Sequence, residues 1–429
     1  MKVPKLAVVF LLAGCVVLYL TYIKRRNDNR NTLVSMPVLE YLERADHQKG
    51  PTTAEVPGQS FQYGIMFDAG STGTRIHVFQ FKLEPNAAPK LTHETFRAIK
   101  PGLSAYADDP DKGGAGLLQL LEVAKTTVPA ALWGSTPLAL RATAGLRLLP
   151  GEKATRLLDK VREVFGTSPF LHGPDSVKIM DGTDEGVFAW ITVNFLLGSL
   201  PGSEIPTVGM LDLGGGSTQI TFSPQDEKTI QMSPFDYVKS FQMGWDLKHS
   251  HLGHVVLSSE VFLGYFLEGS HELMSPCLAP DYAGQWEHAE VIYMLKGQKA
   301  GEPMYESCLS KVEKLIYKKV QKVEEGMEFY AFSYYYDRAV DLGLVDGNTG
   351  GSIRLSNYVE GAKTVCRNME AGSGDNPFLC LDLTYISVLL QELGFPQDKE
   401  FKLARTINDV ETSWALGATF YYIESLLLH

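Results

Sequence analysis

The sequence has 429 residues, a formal net charge of −11 and a pI of about 5.5. Its 45% hydrophobic and 21% charged residues are typical of a globular chain and exclude an intrinsically disordered one. The length predicts two domains with a terminal appendage. The acidic balance excludes a nucleic acid polymer as partner, because such binding requires clustered basic residues.

The amino terminus carries an apolar segment. Residues 6–23 contain no charged side chain and have basic residues on both sides. Eighteen such residues can just span a bilayer, and no small-residue cleavage site follows them. We therefore predict an uncleaved membrane anchor over residues 1–24 rather than a cleaved signal peptide. Residues 25–60 are polar and interrupted by prolines, which predicts a stalk.

The first candidate site is the turn Asp68-Ala-Gly-Ser-Thr-Gly-Thr-Arg75, between two runs that both predict β-strands. A turn rich in glycine and hydroxyl residues can bind an anion, and a carboxylate beside it suits a hydrated divalent cation. The groups that this turn offers to an anion are its backbone N–H groups and the hydroxyls of Ser71, Thr72 and Thr74. Considered alone, the turn could equally be a simple hairpin.

The same design recurs 144 positions later, over residues 207–222. An apolar run again ends at an aspartate, Asp212, and a second turn follows. This turn, over Gly214, Gly215, Gly216, Ser217 and Thr218, again combines glycines with hydroxyl residues. Two copies at this spacing indicate a duplicated unit of domain size, and two facing units would share one cleft. This layout resembles the actin, sugar-kinase and heat-shock ATPase superfamily, and the absence of a Gly-x-x-x-x-Gly-Lys-Ser/Thr run excludes a Walker-type loop.

Strands alternate with helices between the two turns, which predicts an α/β fold with a mainly parallel or mixed sheet. Thr143 lies at a strand end among small residues, where either a ligand or close packing would explain it. Glu185 falls in the first turn of an apolar helix that Asp184 or Thr183 could cap. Its carboxylate could complement the helix dipole, or it could hold and deprotonate a water.

Aromatic residues mark two further segments. A predicted helix over residues 410–428 ends the chain, and Trp414 near its start is more typical of a core than of a ligand contact. Residues 329–337 are rich in tyrosine and phenylalanine. Most of these predict core positions, although a tyrosine at a cleft edge could stack on a nucleobase.

Four of the five cysteines lie in the second half of the chain, and Cys15 lies in the apolar amino-terminal segment. An even number in a translocated domain predicts two disulfides. Three pairings are possible, and the sequential one closes the shortest loops, so we predict Cys277–Cys308 and Cys366–Cys380. A zinc site is the alternative, but the chain has no Cys-x-x-Cys and no histidine at ligand spacing.

Five segments together resemble the apyrase regions of the ecto-nucleoside triphosphate diphosphohydrolases, in the order of that family. They begin at Asp68, Ala142, Gly182, Asp212 and Ser413. The resemblance covers residues 61–425 and is strongest to the Golgi-associated nucleoside diphosphatases, which have one amino-terminal anchor or signal and four cysteines in the catalytic domain. It implies a duplicated actin-like, two-lobed α/β fold. The implied lobes are residues 61–200, completed by 405–429, and residues 201–404.

The resemblance also implies an activity, which is hydrolysis of the terminal phosphate of nucleoside diphosphates, and more slowly of triphosphates, with Ca²⁺ or Mg²⁺. It implies substrates of the GDP, UDP and IDP type. It also implies a Golgi membrane location with a lumenal catalytic domain; the other expectation is a catalytic domain at the cell surface, or secreted after cleavage of the stalk. The resemblance implies that Glu185 is the general base, helped by Ser217, and that the two phosphate loops are Ser71–Arg75 and Gly214–Thr218, with Thr143 beside them. The residues implied to surround the hydrated metal are Asp68, Asp212, Thr143, Gln219 and Trp414. Those implied to stack on the base are Tyr335, Tyr336 and Tyr385.

One segment departs from the family pattern. The subgroup carries Ser-Tyr-Leu-Gly-x-Gly and then an Ala-Arg pair soon after the second phosphate loop, whereas this chain has Ser-His-Leu-Gly-His-Val from Ser250 and then Ser259-Glu260. A glycine and a basic residue are therefore missing. This leaves the hypothesis of a lumenal nucleotide-binding protein with impaired turnover. An exopolyphosphatase-like enzyme is a second alternative, because the phosphate loops of such enzymes have similar Asp-x-Gly signatures.

Overall fold

The structure is a computed structural model of the whole chain. It describes residues 34–36, 60–83, 90–200, 205–224, 238–243, 250–258, 272–288, 291–317, 323, 326–372 and 376–427. The predicted anchor and nearly all of the predicted stalk lie outside these ranges. None of the described helices is both long enough and apolar enough to cross a membrane.

The strands in chain order are β1 (Val34–Met36), β2 (Ser60–Ala69), β3 (Thr74–Leu83), β4 (Lys90–Ile99), β5 (Leu138–Ala142), β6 (Val177–Ile179), β7 (Gly209–Leu213), β8 (Ser217–Phe222), β9 (Val238–Met243), β10 (Ser250–Ser258), β11 (Glu272–Ser275), β12 (Ala283–His288), β13 (Val291–Gly297), β14 (Phe329–Ser333), β15 (Gly351–Arg354), β16 (Glu400–Leu403), β17 (Thr406–Ile407) and β18 (Val410–Glu411). The α-helices are α1 (Pro110–Thr127), α2 (Ala144–Arg147), α3 (Gly151–Gly166), α4 (Gly182–Leu197), α5 (Met304–Ile316), α6 (Tyr334–Asp341), α7 (Leu355–Glu370), α8 (Leu379–Glu392) and α9 (Ala415–Leu427).

Two of the sheets repeat one topology. The first has the order β4-β3-β2-β5-β6, in which β2, β3 and β4 are antiparallel and β5 and β6 run parallel to β2. Helical crossovers supply the connections that parallel strands require. The second contains β10-β8-β7-β14-β16 with the same directions, and adds β9 and β1 at one edge and β15 at the other. The predicted duplicated α/β unit is confirmed.

Three hydrophobic clusters hold these layers together. One lies between the first sheet and helices α1 and α3, and another between the second sheet and helices α5, α7 and α8. The third joins the two sheets through α4 and α9. These two helices approach so closely that a Cβ at Gly417 would lie 2.3 Å from the Phe188 carbonyl oxygen. Glycine is therefore required at this crossing, which fixes α4 and the start of α9 relative to both sheets.

The last helix is shorter than predicted. Residues 410–428 were expected to be helical, but Val410–Glu411 pairs with Thr406–Ile407 in a small hairpin, and α9 begins only at Ala415. Asn408 and Asp409 form the turn with φ values of 53° and 62°, a left-handed conformation that asparagine and aspartate tolerate better than most residues. Tertiary pairing therefore overrides the apolar helical pattern at this end.

Both predicted disulfides are present, between Cys277 and Cys308 and between Cys366 and Cys380. The first joins the end of β11 to α5, and the second joins α7 to α8. All four cysteines are fully buried in or beside the cluster of the second sheet.

Replacing Cys366 and Cys380 by serine is expected to lower the free energy of unfolding by ~2–4 kcal/mol, because the closed loop no longer restricts the unfolded chain. Chemical denaturation measures this, with Cys15→Ser as the control that leaves both bridges intact. Peptide mapping without reductant should recover only the two sequential pairs, and any cross-paired peptide would contradict the structure.

Candidate active site

The two glycine-rich turns have the same backbone geometry. The Gly70 N–H donates to the Gly73 carbonyl at 3.0 Å, and at the equivalent position the Gly214 N–H donates to the Ser217 carbonyl at 2.9 Å. Each turn connects two antiparallel strands, β2 to β3 and β7 to β8. The aspartate before each turn lies near the end of its strand.

The structure brings the two turns into contact. A Cβ placed on Gly215 would lie 2.9 Å from the Ser71 hydroxyl, so the tips of both turns meet. A Cβ on Gly216 would lie 2.7 Å from that of Ala144, and one on Gly145 would lie 2.8 Å from the Cα of Ser71. Helix α2 therefore packs against both turns, and a side chain on Gly216 or Gly145 would prevent the close contact between α2 and the turns.

Asp68 sits at the end of β2, opposite Arg75 on β3. Its carboxylate is buried and accepts a hydrogen bond from Arg75 Nη1 at 2.9 Å. Burial raises the pKa of Asp68, and the nearby Arg75 guanidinium opposes this shift. Within the described structure the other oxygen, Oδ1, is buried without a hydrogen-bond partner, so it is available to a ligand or water.

Asp212 is held by a residue that the sequence analysis did not single out. Ser333, at the end of the parallel neighbour β14, donates from its hydroxyl to Asp212 Oδ1 at 2.6 Å. Burial raises the pKa of Asp212, and this hydrogen bond opposes the shift. Ser333 has a φ of 54°, which is strained for a non-glycine residue and is typical of functional sites.

Glu185 lies in the first turn of α4, as predicted, but the helix is capped elsewhere. Asp181 is the cap, because its side chain accepts from the Asp184 N–H at 2.7 Å. Glu185 is only 7% exposed. Burial raises its pKa to about 8; Arg147 opposes this shift, while the charges of Asp212 and Asp68 add to it.

A hydrogen-bonded chain connects Glu185 to the second turn. Arg147, at the end of α2, lies 3.3 Å from Glu185 Oε2 and donates to the Ser217 hydroxyl at 3.4 Å. Gln219 Nε2 also donates to that hydroxyl, at 2.9 Å. Ser217 therefore accepts from both of them, and Glu185, Arg147, Ser217 and Gln219 form one group. Arg147 was missed as a site residue, although it lies in the same short segment as Thr143.

The remaining predicted residues occupy different places. Thr143 is buried between the first turn and α2, where its N–H donates to the Ala69 carbonyl. Trp414 is 4% exposed and packs in the cluster that joins the two sheets. Tyr335 and Tyr336 are also core residues, and their burial argues against base stacking because no ring face is left for a ligand. Tyr385 is half-buried in α8.

The charges around the site leave room for a divalent cation. Five buried or mostly buried carboxylates surround it, namely Asp68, Asp212, Glu185, Glu94 and Glu411. Only three basic side chains, Arg75, Arg147 and His77, pair with these five, so acidic groups outnumber basic ones in this part of the described structure. Across the described ranges no three acidic, histidine or cysteine side chains could ligate an ion directly. The excess of carboxylates and the buried Asp68 Oδ1, which has no partner among the described residues, fit a divalent cation.

Known phosphohydrolases include relatives of this chain. The chain is 57% identical over 382 residues to ectonucleoside triphosphate diphosphohydrolase 6 from Mus musculus, covering 86% of this chain and 83% of that protein. It is 46% identical over 376 residues to nucleoside diphosphate phosphatase ENTPD5 from Homo sapiens, covering 85% and 88%.

A solved nucleoside triphosphate hydrolase from Neospora caninum shares the fold, with a TM-score of 0.56 and 14% identity over 85% of this chain and 92% of that one. The family model of the nucleoside phosphatases matches residues 55–429. The resemblance predicted from the five segments is therefore confirmed, and the chain belongs to the GDA1/CD39 (nucleoside phosphatase) family.

Proposed function

We propose that this protein hydrolyses the terminal phosphate of nucleoside diphosphates and triphosphates with the help of a divalent cation. The observation that carries the proposal is the position of Glu185. Its buried carboxylate lies at the start of α4, next to the second glycine-rich turn and within the electrostatic influence of both aspartates. A carboxylate whose pKa is raised to about 8 is well matched to accept a proton near neutral pH.

The two turns would hold the phosphates. The proposed ligands are backbone N–H groups and hydroxyls of Ser71, Thr72, Gly73, Thr74, Gly214, Gly215, Gly216, Ser217 and Thr218, with Arg75 and Thr143. The contact between the tips of the turns means that a phosphate chain can touch both at once. Donors on a fixed backbone stabilise the charge of a phosphoryl group without reorganising during the reaction.

The metal would be held through water by Asp68, Asp212, Thr143, Gln219 and Trp414. A Ca²⁺ or Mg²⁺ ion bound there would offset the excess of carboxylates and polarise the phosphate. Ser333 keeps Asp212 oriented through its short hydrogen bond, and Arg75 does the same for Asp68.

The attacking water would be positioned by Glu185 and Ser217. Gln219 and Arg147 both donate to the Ser217 hydroxyl, so its own hydrogen can point toward a water. Glu185 accepts the proton from that water as the oxygen attacks the terminal phosphorus, and the bond to the leaving nucleotide oxygen breaks. The catalytic contribution of these residues is position and proton transfer, without a covalent intermediate.

Tyr334 is a better candidate for contact with the base than the buried tyrosines that follow it. It is half-buried at the start of α6, and its hydroxyl lies 3.8 Å from where a Cβ on Gly215 would be. The Arg338 guanidinium lies 5.2 Å from the centre of its ring. A flat ring supported on one side by a cation can stack on a base with the other. Tyr385 stays a weaker candidate.

Nucleoside diphosphates are expected to be hydrolysed faster than triphosphates. This expectation follows from the subgroup resemblance, not from a residue that distinguishes two phosphates from three. Phosphate release from GDP, UDP and IDP and the matching triphosphates tests this, with Ca²⁺, Mg²⁺ or a chelator in parallel reactions. Equal or higher rates on triphosphates would overturn the preference. Full activity in excess chelator would overturn the metal requirement.

The divergent segment favours a second hypothesis, nucleotide binding with reduced turnover. Strand β10 pairs with β8 so that Ser258 lies opposite Ser217, next to the second turn. Residues 244–249 and 259–260 lie outside the described ranges. A glutamate in place of the family's arginine near the phosphates would oppose binding by ~1–4 kcal/mol.

Replacing residues 243–260 by the subgroup sequence is therefore expected to raise kcat/KM on a nucleoside diphosphate by ~10-fold or more, since a charge repulsion is removed. The unchanged chain, purified in parallel, is the reference. Equal kcat/KM values for the two proteins would mean that the segment does not reach the phosphates, and reduced turnover would lose its basis.

The location is proposed from the sequence and the resemblance. An anchor over residues 1–24 would place the catalytic domain in the Golgi lumen, where the two disulfides can form. Cleavage within the proposed stalk would release the domain.

A further inference from the structure

A second buried group lies behind Asp68, and none of the proposed roles uses it. His77 follows Arg75 by two residues on β3, so both side chains lie on the same face of the first sheet. His77 Nδ1 lies 2.6 Å from Glu94 Oε1 on the neighbouring strand β4. Their side chains are 0% and 2% exposed, which makes this a fully buried acid–base pair.

Glu94 also holds the chain segment that leads to Trp414. Its other oxygen, Oε2, accepts a hydrogen bond from the Glu411 N–H at 2.7 Å. One buried carboxylate therefore links β3, β4 and the small hairpin strand β18. This hydrogen bond attaches β18 to β4 shortly before α9 begins at Ala415.

Two polar atoms of this group lack a hydrogen-bond partner. In the described part of the chain, His77 Nε2 and Glu411 Oε2 are both buried and unpaired. A buried donor or acceptor left unpaired costs about 1–3 kcal/mol, so a purely structural pair would have little reason to keep both. The two atoms are complementary, because a protonated imidazole donates and a carboxylate accepts.

Electrostatic coupling continues from Glu411 to the active site. Glu411 raises the pKa of Arg75, after the larger effect of Asp68, and Arg75 donates its hydrogen bond to Asp68. His77 and Glu94 likewise act on the pKa of Glu411 after burial, which has the largest effect. Acidic and basic side chains therefore alternate from Glu94 through His77, Glu411 and Arg75 to Asp68.

We propose that His77, Glu94 and Glu411 are positioning residues for the hydrated metal, acting through Arg75 on Asp68. One bound water joins His77 Nε2 to Glu411 Oε2, and the Glu411 charge acts on the Arg75 guanidinium that hydrogen-bonds to Asp68. This inference rests on the proposed metal role of Asp68. Groups that orient a metal-binding side chain typically affect metal affinity 10–100-fold when they are replaced.

The test is metal binding by the full chain, without nucleotide, measured by calorimetric titration of Ca²⁺ or Mg²⁺ well below the unfolding temperature. Both His77→Gln and Glu411→Gln should weaken metal affinity ~10-fold. The double variant should weaken it little further, since both changes interrupt one chain of interactions. The matched controls are His93→Gln, exposed on β4, and Glu122→Gln, exposed on α1, and both should bind metal as the unchanged chain does.

Asp68→Asn separates this inference from the function on which it rests. The positioning role alone would be overturned if Asp68→Asn loses metal affinity while Glu411→Gln and His77→Gln keep theirs within twofold. If Asp68→Asn binds the metal as tightly as the unchanged chain, both the proposed metal site and the positioning role are overturned. A structural role alone would lower the melting temperature without changing the metal affinity of the folded protein. If His77→Gln does not fold, Glu411→Gln decides the matter alone.

Discussion

Glu185→Gln is expected to lose ~10²-fold or more in kcat on a nucleoside diphosphate while it still binds the nucleotide. Glutamine keeps the shape of the side chain and can still accept from Arg147, so the hydrogen-bonded group around Ser217 should survive. It cannot accept a proton from water, however. Steady-state phosphate release and nucleotide binding by calorimetry separate the two effects.

The matched control for this variant is Glu152→Gln, because Glu152 also lies in the first turn of a helix but is exposed. Its kcat should equal that of the unchanged protein. A kcat within threefold of the unchanged value in Glu185→Gln would remove Glu185 from the role of base. A large loss of nucleotide affinity instead of turnover would assign it to binding.

Arg147→Met is expected to show the second large effect, a fall in kcat at neutral pH with a shifted pH profile. The pKa of Glu185 is raised to about 8 chiefly by burial, and Arg147 is the neighbour that opposes this shift. Removing the guanidinium raises that pKa further, so less of the base is ionised at pH 7. The acid limb of the pH–kcat profile should therefore move to higher pH, with activity partly recovered in alkaline buffer.

The control here is Arg156→Met, an exposed arginine on α3, which should leave the profile unchanged. An unchanged acid limb in Arg147→Met would show that the arginine does not govern the protonation of Glu185. A uniform loss at every pH would point instead to the disturbed position of Ser217.

The duplicated fold could be predicted because each copy carries its own local signal. Asp68 and Asp212 each end an apolar strand and precede a glycine-rich turn, and the structure gives both turns the same hydrogen bond. The disulfide pairing followed from loop length. The end of the chain was predicted wrongly, because the apolar pattern over residues 410–428 does not reveal that Val410–Glu411 pairs with a neighbouring strand.

The candidate site was predictable only where its residues lie in short glycine-rich segments. Ser333 and Glu94 carry no such signal, because each acts on a residue that is distant in sequence and close only in the folded chain. The tyrosine-rich segment, in contrast, has a composition that suggests a functional role for residues that the structure buries in the core. Its composition suggests base stacking, but Tyr335 and Tyr336 are turned into the core by α6, and only their neighbour Tyr334 is half-exposed near the second turn.

The most direct test of the metal-assisted phosphate site is a crystal structure of Glu185→Gln with a divalent cation and a nucleoside diphosphate, since this variant should bind without turning over. The terminal phosphate is expected between Ser71–Arg75 and Gly214–Thr218, with the cation reached through water from Asp68 and Asp212 and a water beside residue 185. A nucleotide bound elsewhere, or a phosphate that contacts neither turn, would contradict the proposed mechanism.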